Sequence, residues 1–283
     1  MAAAPDDALP TVRLGPYAVS RLIVGANPVL GFSYVGGLMS RFMQDYFTVE
    51  RTVDLLERCL DVGINTWQTS AHEKVHAALE GLRQRGRDIQ WIFLASTSHT
   101  EDEGALDEVI RRDRPIAIVH HGGVSDRLWR EGRIEEVHDF ARRVRDRGIL
   151  AGISAHNPRV IQHAEDNGWN LDLYMACFYQ LTRTREELEH VVGREVPLWG
   201  EFLPGDPARM CAVVQQVQRP CLAFKILAGG RRADRPEELE AAFEFAFGNI
   251  KRTDAVIVGM FPRFSDQAGE DAALTRRFGT LSP

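Results

Sequence analysis

Eight short apolar runs alternate along the chain with stretches whose apolar residues recur at three- and four-residue spacing. This alternation is the signature of repeated β–α units built around a parallel sheet. The strand-like runs cover residues 22–26, 64–70, 91–97, 116–120, 150–154, 173–179, 221–227 and 255–259. Several are apolar throughout, as strands buried on both faces must be. The periodic stretches predict helices over 49–62, 75–85, 106–112, 134–147, 159–167, 207–217, 236–247 and 266–278. Gly63, Gly86, Gly148 and Gly168 each follow a predicted helix directly, where a left-handed cap is needed. Eight such units select the α/β class and a single (β/α)8 TIM barrel, one domain over residues 1–283, with 1–10 expected to be flexible. The segment 12–19 predicts a small hairpin ahead of the first strand.

Two connections exceed the usual length. Residues 28–48 follow the first strand, and residues 180–206, with a short helical piece over 184–192, follow the sixth. Both leave the C-terminal ends of strands, where barrels of this kind place their active sites, so both are candidate lids. Composition agrees with one well-filled core, at 44% hydrophobic and 26% charged residues. The net charge is −6, and arginines alternate with acids on helix faces, as in Arg142-Arg143-Val144-Arg145-Asp146-Arg147. That pattern is a solvated helix surface, so no nucleic-acid partner is expected. The four cysteines have no CxxC spacing and read as buried thiols without disulfides. With no signal-peptide pattern at the start and no apolar run of about 18 residues, the expectation is a cytoplasmic protein with no membrane partner, acting on a small molecule.

The segment Gly63-Ile64-Asn65-Thr66-Trp67-Gln68-Thr69-Ser70 carries a family resemblance, together with Val19-Ser20-Arg21-Leu22-Ile23-Val24-Gly25, Ile118-Val119-His120, Gly152-Ile153-Ser154, Ala223-Phe224, and Val258-Gly259 leading to Asp266-Gln267-Ala268-Gly269-Glu270-Asp271. In order and spacing, over most of the chain, these pieces resemble the aldo-keto reductases. The resemblance implies a barrel whose bottom is covered by the hairpin. It also implies a tetrad in which a tyrosine, assisted by lysine, histidine and aspartate, protonates a carbonyl oxygen as hydride arrives. By position that tetrad falls on Glu73 for tyrosine, Thr97 for lysine, His120 for histidine and Gln68 for aspartate. Only the histidine keeps its type, so the family's ordinary carbonyl reduction is not expected. On the cofactor side the resemblance assigns Ser154 to the nicotinamide carboxamide, Phe224 to the face of the ring, and Arg263 with Glu270 to the adenine-phosphate end, where Asp271 departs from an asparagine. The segments 200–207, 223–231 and 120–126 further resemble reductase-like barrel proteins of bacteria.

The remaining signal is a surplus of polar residues at C-terminal strand ends, including His72, His99, His120, His121 and His156, five of the nine histidines. Two chemistries fit. In one, a divalent metal is held by His120, His156 and Glu201 or Glu73 and polarises a carbonyl or a bound water. In the other, His and Glu act directly as acid and base, and Lys225, flanked by Ala223, Phe224, Ile226 and Leu227, supplies a cation. Strand alternation sends one of His120 and His121 inward and the other toward the helices. The candidate catalytic residues are Glu73, His120, Tyr179 and Lys225, and the candidate substrate contacts are Asn27, Gln68, His121 and Arg231. The loop Gly229-Gly230-Arg231-Arg232 is a candidate phosphate or carboxylate holder, while His138, His163 and His190 are expected on helix surfaces and His76 as a plain helix residue. The expected function is a non-redox enzyme, a lyase, isomerase or hydrolase, acting on a small polar carbonyl or sugar-like substrate. An NADP(H)-dependent aldo-keto reductase-type oxidoreductase is the first alternative, and an inactive ligand-binding barrel the second. A divalent metal ranks ahead of NADP(H) as the expected cofactor.

Overall fold

A two-stranded antiparallel hairpin, β1 (Thr11–Leu14) and β2 (Tyr17–Ser20), precedes eight parallel strands. These are β3 (Leu22–Gly25), β4 (Thr66–Thr69), β5 (Gln90–Ala95), β6 (Ala117–His120), β7 (Leu150–Ala155), β8 (Leu173–Cys177), β9 (Cys221–Phe224) and β10 (Ala255–Gly259). They pair in chain order, and β10 returns to β3 to close the barrel. The structure is a computed structural model and describes residues 8–195 and 201–280.

Closure forces successive side chains into two separate layers. Ile23, Ile92, Val119, Leu173, Met175, Leu222 and Ile257 fill the interior, and Val12, Leu14 and Val19 of the hairpin join them from below. Trp67, Trp91, Ile118, Ile153, Tyr174, Ala223 and Val256 face the helices instead. That outer layer packs against α2 (Val49–Asp61), α3 (Glu73–Gln84), α5 (Glu103–Asp113), α7 (Glu135–Asp146), α8 (Pro158–Asp166), α10 (Asp206–Gln216), α11 (Pro236–Asn249) and α12 (Gln267–Gly279). These eight are the helices the periodicity predicts. The caps agree too, with Gly148 and Gly168 at φ 74° and 62°. The short piece in the sixth connection is α9 (Arg185–Val192), started by a capping box between Thr184 and Glu187.

Among the described residues three α-helices have no counterpart in the sequence reading: α1 (Gly37–Tyr46), α4 (Thr97–Glu101) and α6 (Gly122–Arg130). The last begins on two glycines and is capped by His121. Thr97 opens α4 instead of ending a strand, because β5 stops at Ala95. The flexible start is also corrected in part. Leu9 is buried and the Pro10 carbonyl accepts from Arg21 N at 2.8 Å, so the chain is anchored from Leu9 onward. Residues 1–7 of that expectation, and 196–200 of the sixth connection, lie outside the described residues. All four cysteines are free and buried. Among the described residues no helix is long and apolar enough to cross a membrane.

One arginine ties the bottom of the barrel together. Arg21, 3% exposed, donates to the carbonyls of Asp254 (2.9 Å), Gly279 (2.7 Å) and Lys251 (3.1 Å) and lies over the Phe247 ring. Asp254 in turn accepts from the backbone N–H groups of Cys221 and Lys251, both at 2.8 Å. The start of β3, β9 and β10 and the end of α12 are thereby joined through one buried cation. Burial lowers its pKa to about 10, which leaves it charged at neutral pH. Replacing Arg21 by Met strands three buried carbonyls, and an unfolding free energy lower by about 3 kcal/mol or more is expected in urea titrations. An unchanged midpoint and slope would show that these bonds are dispensable.

Candidate active site

Alternation continues one residue past each strand end and decides which side chains reach the mouth. On β6, Ala117 and Val119 point inward, so His121 does as well; on β7, Ser154 and His156 follow the inward Gly152. His120 stands in register with the helix-facing Ala95 and Ile153. Its Nδ1 lies 2.8 Å from Ser125 Oγ and its ring meets Phe140 edge-on, away from the interior. Desolvation there pushes its pKa down to about 3. The catalytic and metal-ligand roles expected of His120 are therefore corrected. The inward histidine of the pair is His121.

His156 is oriented by a carboxylate that the sequence reading missed. Its Nδ1 is 3.0 Å from Asp126 Oδ2. Asp126, on α6, also accepts from His156 N (2.9 Å), Asn157 N (3.2 Å) and Thr182 Oγ1 (2.8 Å), an acceptor-only group meeting four donors. The proton of a neutral His156 thus sits on Nδ1, and Nε2 is left with its lone pair. His121 is set the other way round, since its Nδ1 accepts from Gly123 N at 3.2 Å and its Nε2 carries the proton. Burial lowers the pKa of both rings, most of all, and the charge of Lys225 lowers both further; His121 also feels His156, while Asp126 partly opposes the shift at His156. The mouth therefore holds a bare imidazole acceptor beside an imidazole donor. Gly122 permits this closeness, because a Cβ there would lie 2.8 Å from Ser154 Oγ and 3.3 Å from His156 Cε1.

Lys225, directly after β9, adopts φ 60°, a left-handed conformation that is strained for a residue with a side chain. Its Nζ sits 4.6 Å from the Phe224 ring centre and 5.1 Å from that of Tyr34. Phe224 faces inward and also meets His156 edge-on at 5.7 Å. Tyr179, 5% exposed after β8, packs on Phe202 at 4.9 Å; burial raises its pKa and the neighbouring Arg232 partly offsets this. The two long connections meet above the mouth through Tyr34 and Phe202, 5.6 Å apart. Gly229, at φ 64°, lies under both, where a Cβ would come within 3.0 Å of each residue. The second connection is fastened at its root by the buried pair Arg183–Asp206.

The other expected site residues separate into two groups. Gln68 (8% exposed) and Ser154 (1%) face the interior near its top, and Asn27 lies exposed after β3. Glu73 does not join them: it opens α3 with its side chain 87% exposed and pairs with Arg112 of α5. Glu201 is half-buried ahead of α10, and among the described residues no three His, Cys, Asp or Glu side chains are grouped to hold a metal. The set His120, His156 and Glu201 does not converge, since the two histidines face opposite sides of the strand layer. Arg263 is exposed over the rings of Phe42 and Tyr46, and Asp271 is buried with its pKa pushed up to about 8 by desolvation. In the Gly229-Gly230 loop the N–H groups of Ala228, Gly230, Arg231 and Arg232 are spent on carbonyls of the same turn. His72 caps α3, His99 bonds Ser96, and His76 is a buried partner of Asp113 at 2.5 Å, which is more than a plain helix residue. A cavity of about 900 Å³ lies on the outer surface among α4, α6 and α7, but its arginines Arg127, Arg133, Arg142 and Arg143 are each paired with an acid.

No protein-family model matches the sequence, and no curated protein sequence matches it. The fold does match solved structures. The thermostable aldo-keto reductase Tm1743, in complex with the inhibitor epalrestat, superposes with a TM-score of 0.61 at 13% identity over 96% of this chain and 99% of that one. A 2,5-diketo-D-gluconic acid reductase B gives 0.56 at 11% over 98% and 95%, and the glycerol dehydrogenase AKR11B4 from Gluconobacter oxydans gives 0.56 at 11% over 99% and 98%. The chain has the aldo-keto reductase-like TIM-barrel fold.

His120 gives the stability of this site a pH signature. With a folded pKa of about 3 against an ordinary 6.5, the unfolded chain takes up a proton below 6.5 that the folded one refuses. Its contribution is full above that value and is lost as pH falls toward the folded pKa, at ~1.4 kcal/mol per pH unit for one proton. His121 and His156 act in the same direction. The variant His120→Gln is expected to flatten the fall of unfolding free energy between pH 6 and pH 4 by about one proton. An unaltered slope would mean that His120 is hydrated.

Proposed function

We propose that the protein is an enzyme that moves a proton at the hydroxyl or carbonyl oxygen of a small polar molecule held in the barrel mouth, with His156 as the acid–base group. The observation that carries this reading is the Asp126–His156 pair, which fixes the tautomer and leaves Nε2 facing the mouth as an acceptor. His121 offers its Nε2–H to the same oxygen, and Lys225 adds positive charge where negative charge develops. Asp126 acts through His156, by orienting the ring and stabilising its protonated form. The aromatic closure of Tyr34, Phe202 and Tyr179 keeps water from the reacting oxygen and so strengthens these charges.

Two reaction classes share this step. The fold comparisons favour an oxidoreductase of the aldo-keto reductase type, and Ser154 and Phe224 support it by facing the interior. Ser154 is nearly buried, and its hydroxyl has no hydrogen-bond partner among the described residues, which suits a carboxamide contact. A bound nicotinamide would supply the hydride. His156 would then do what the family's tyrosine does, because the positions of tyrosine, lysine and aspartate hold Glu73, Thr97 and Gln68. The second class is proton transfer beside a carbonyl without hydride, as in a lyase or isomerase. Lys225 favours this one, since an ammonium over Phe224 opposes the cation of an oxidised nicotinamide and suits an enolate.

Purified protein, incubated with a panel of small hydroxy and oxo compounds, should be followed in parallel by NADPH absorbance and by proton exchange in deuterated water. Nucleotide-dependent turnover identifies the first class, and exchange without nucleotide the second. In either assay His156→Ala is expected to lower kcat/KM by about 10²- to 10⁴-fold, and Asp126→Asn to lower it in the same direction by reversing the tautomer. Turnover indifferent to His156→Ala would refute the acid–base assignment, and silence in both assays would favour a barrel that only binds.

A further inference from the structure

We infer that the substrate carries an anionic group, a carboxylate or a phosphate, beside the hydroxyl or carbonyl that reacts, an inference that rests on the His156 reading above. Three cations follow β9 at the mouth, and none forms an ion pair with a carboxylate among the described residues. Lys225 is held over Phe224 and Tyr34. Arg231 lies over Phe202 and donates to the carbonyls of Ala228 and Tyr34. Arg232 reaches the Tyr179 hydroxyl.

Two carboxylates near the mouth are already engaged. Asp126 holds His156 and Thr182. Asp206 is paired with Arg183, at side-chain exposures of 3% and 4%, and also accepts from Gln180 N. Glu201 pairs with none of the three. In a chain of net charge −6, three adjacent cations at a cleft whose walls are aromatic produce a positive field aimed at the ligand. Four N–H groups of the Gly229-Gly230 turn are spent on its own carbonyls, so the side chains are the main groups offered to the anion. The roles divide by position. Lys225 is held over Phe224, the ring that also meets His156 edge-on, and so belongs to the reacting oxygen, while Arg232, half-buried beside Tyr179, is placed to hold the anionic group with the fork of its guanidinium.

Three matched probes test this with the full chain: glycerate, glycerol 3-phosphate and uncharged glycerol, titrated calorimetrically, with inorganic phosphate as a control for a bare ion. At least one of the two anionic probes is expected to bind about tenfold or more tightly than glycerol, and more weakly as salt is raised. Which of them wins distinguishes carboxylate from phosphate. Arg232→Gln should remove the preference and Arg232→Lys should restore part of it. His156→Ala should bind the anion nearly as well as the parent while losing turnover. Anionic probes binding no better than glycerol, no better than inorganic phosphate, or independently of Arg232 would overturn the inference. Failure of the acid–base reading shows up separately, as turnover that survives His156→Ala.

Discussion

The closed parallel sheet is the constraint from which the rest of this molecule follows. Once β10 pairs with β3, no side chain on a barrel strand has a third option: it enters the dry interior or faces the helices. Parity along a strand then settles function at its upper end, because only inward positions reach the mouth. His120 and His121 show how strict this is. Adjacent in sequence and identical in chemistry, one is pressed against Phe140 in a helix-facing layer and the other looks into the site.

The site itself depends on a second contact, between the first turn of α6 and the end of β7. Gly122 lets the helix come close enough for Asp126 to gather two backbone N–H groups, a threonine hydroxyl and the His156 ring. A buried carboxylate is tolerable there because four donors converge on it. The cations on the far side of the mouth are handled differently. Lys225 and Arg231 rest on aromatic rings, and Arg232 lies beside Tyr179, with no acid paired to any of the three among the described residues.

The same arrangement explains how an aldo-keto reductase-like fold is reached at 11 to 13% identity while three of the four positions to which the resemblance assigns the tetrad hold other residue types. What the scaffold requires is apolar parity, caps and closure, and many sequences satisfy these. A catalytic tyrosine and lysine are not among its requirements. The turn after β4, where the resemblance places the tyrosine, holds Glu73 facing solvent, while the Asp126–His156 pair stands at the end of β7.

The sequence by itself determined the eight β–α units, the hairpin below them, the long connections above them and the gathering of polar residues at one end. Each of these is local, a matter of hydrophobic period, caps and breakers acting within a few residues. It also placed Tyr179, Lys225, Ser154, Phe224, Gln68 and His156 at or near the mouth, because strand ends can be read from period alone. Tertiary structure decided the rest. Whether His120 or His121 turns inward depends on register with β5 and β7, which no local pattern carries. Asp126 meets His156 across thirty residues of chain and sits in a helix that the sequence reading did not predict. Arg232 and Tyr179, and Tyr34 and Phe202, meet only because separate strand ends are brought to one rim. Partnerships between distant segments are set by closure of the barrel, and closure is a property of the whole chain.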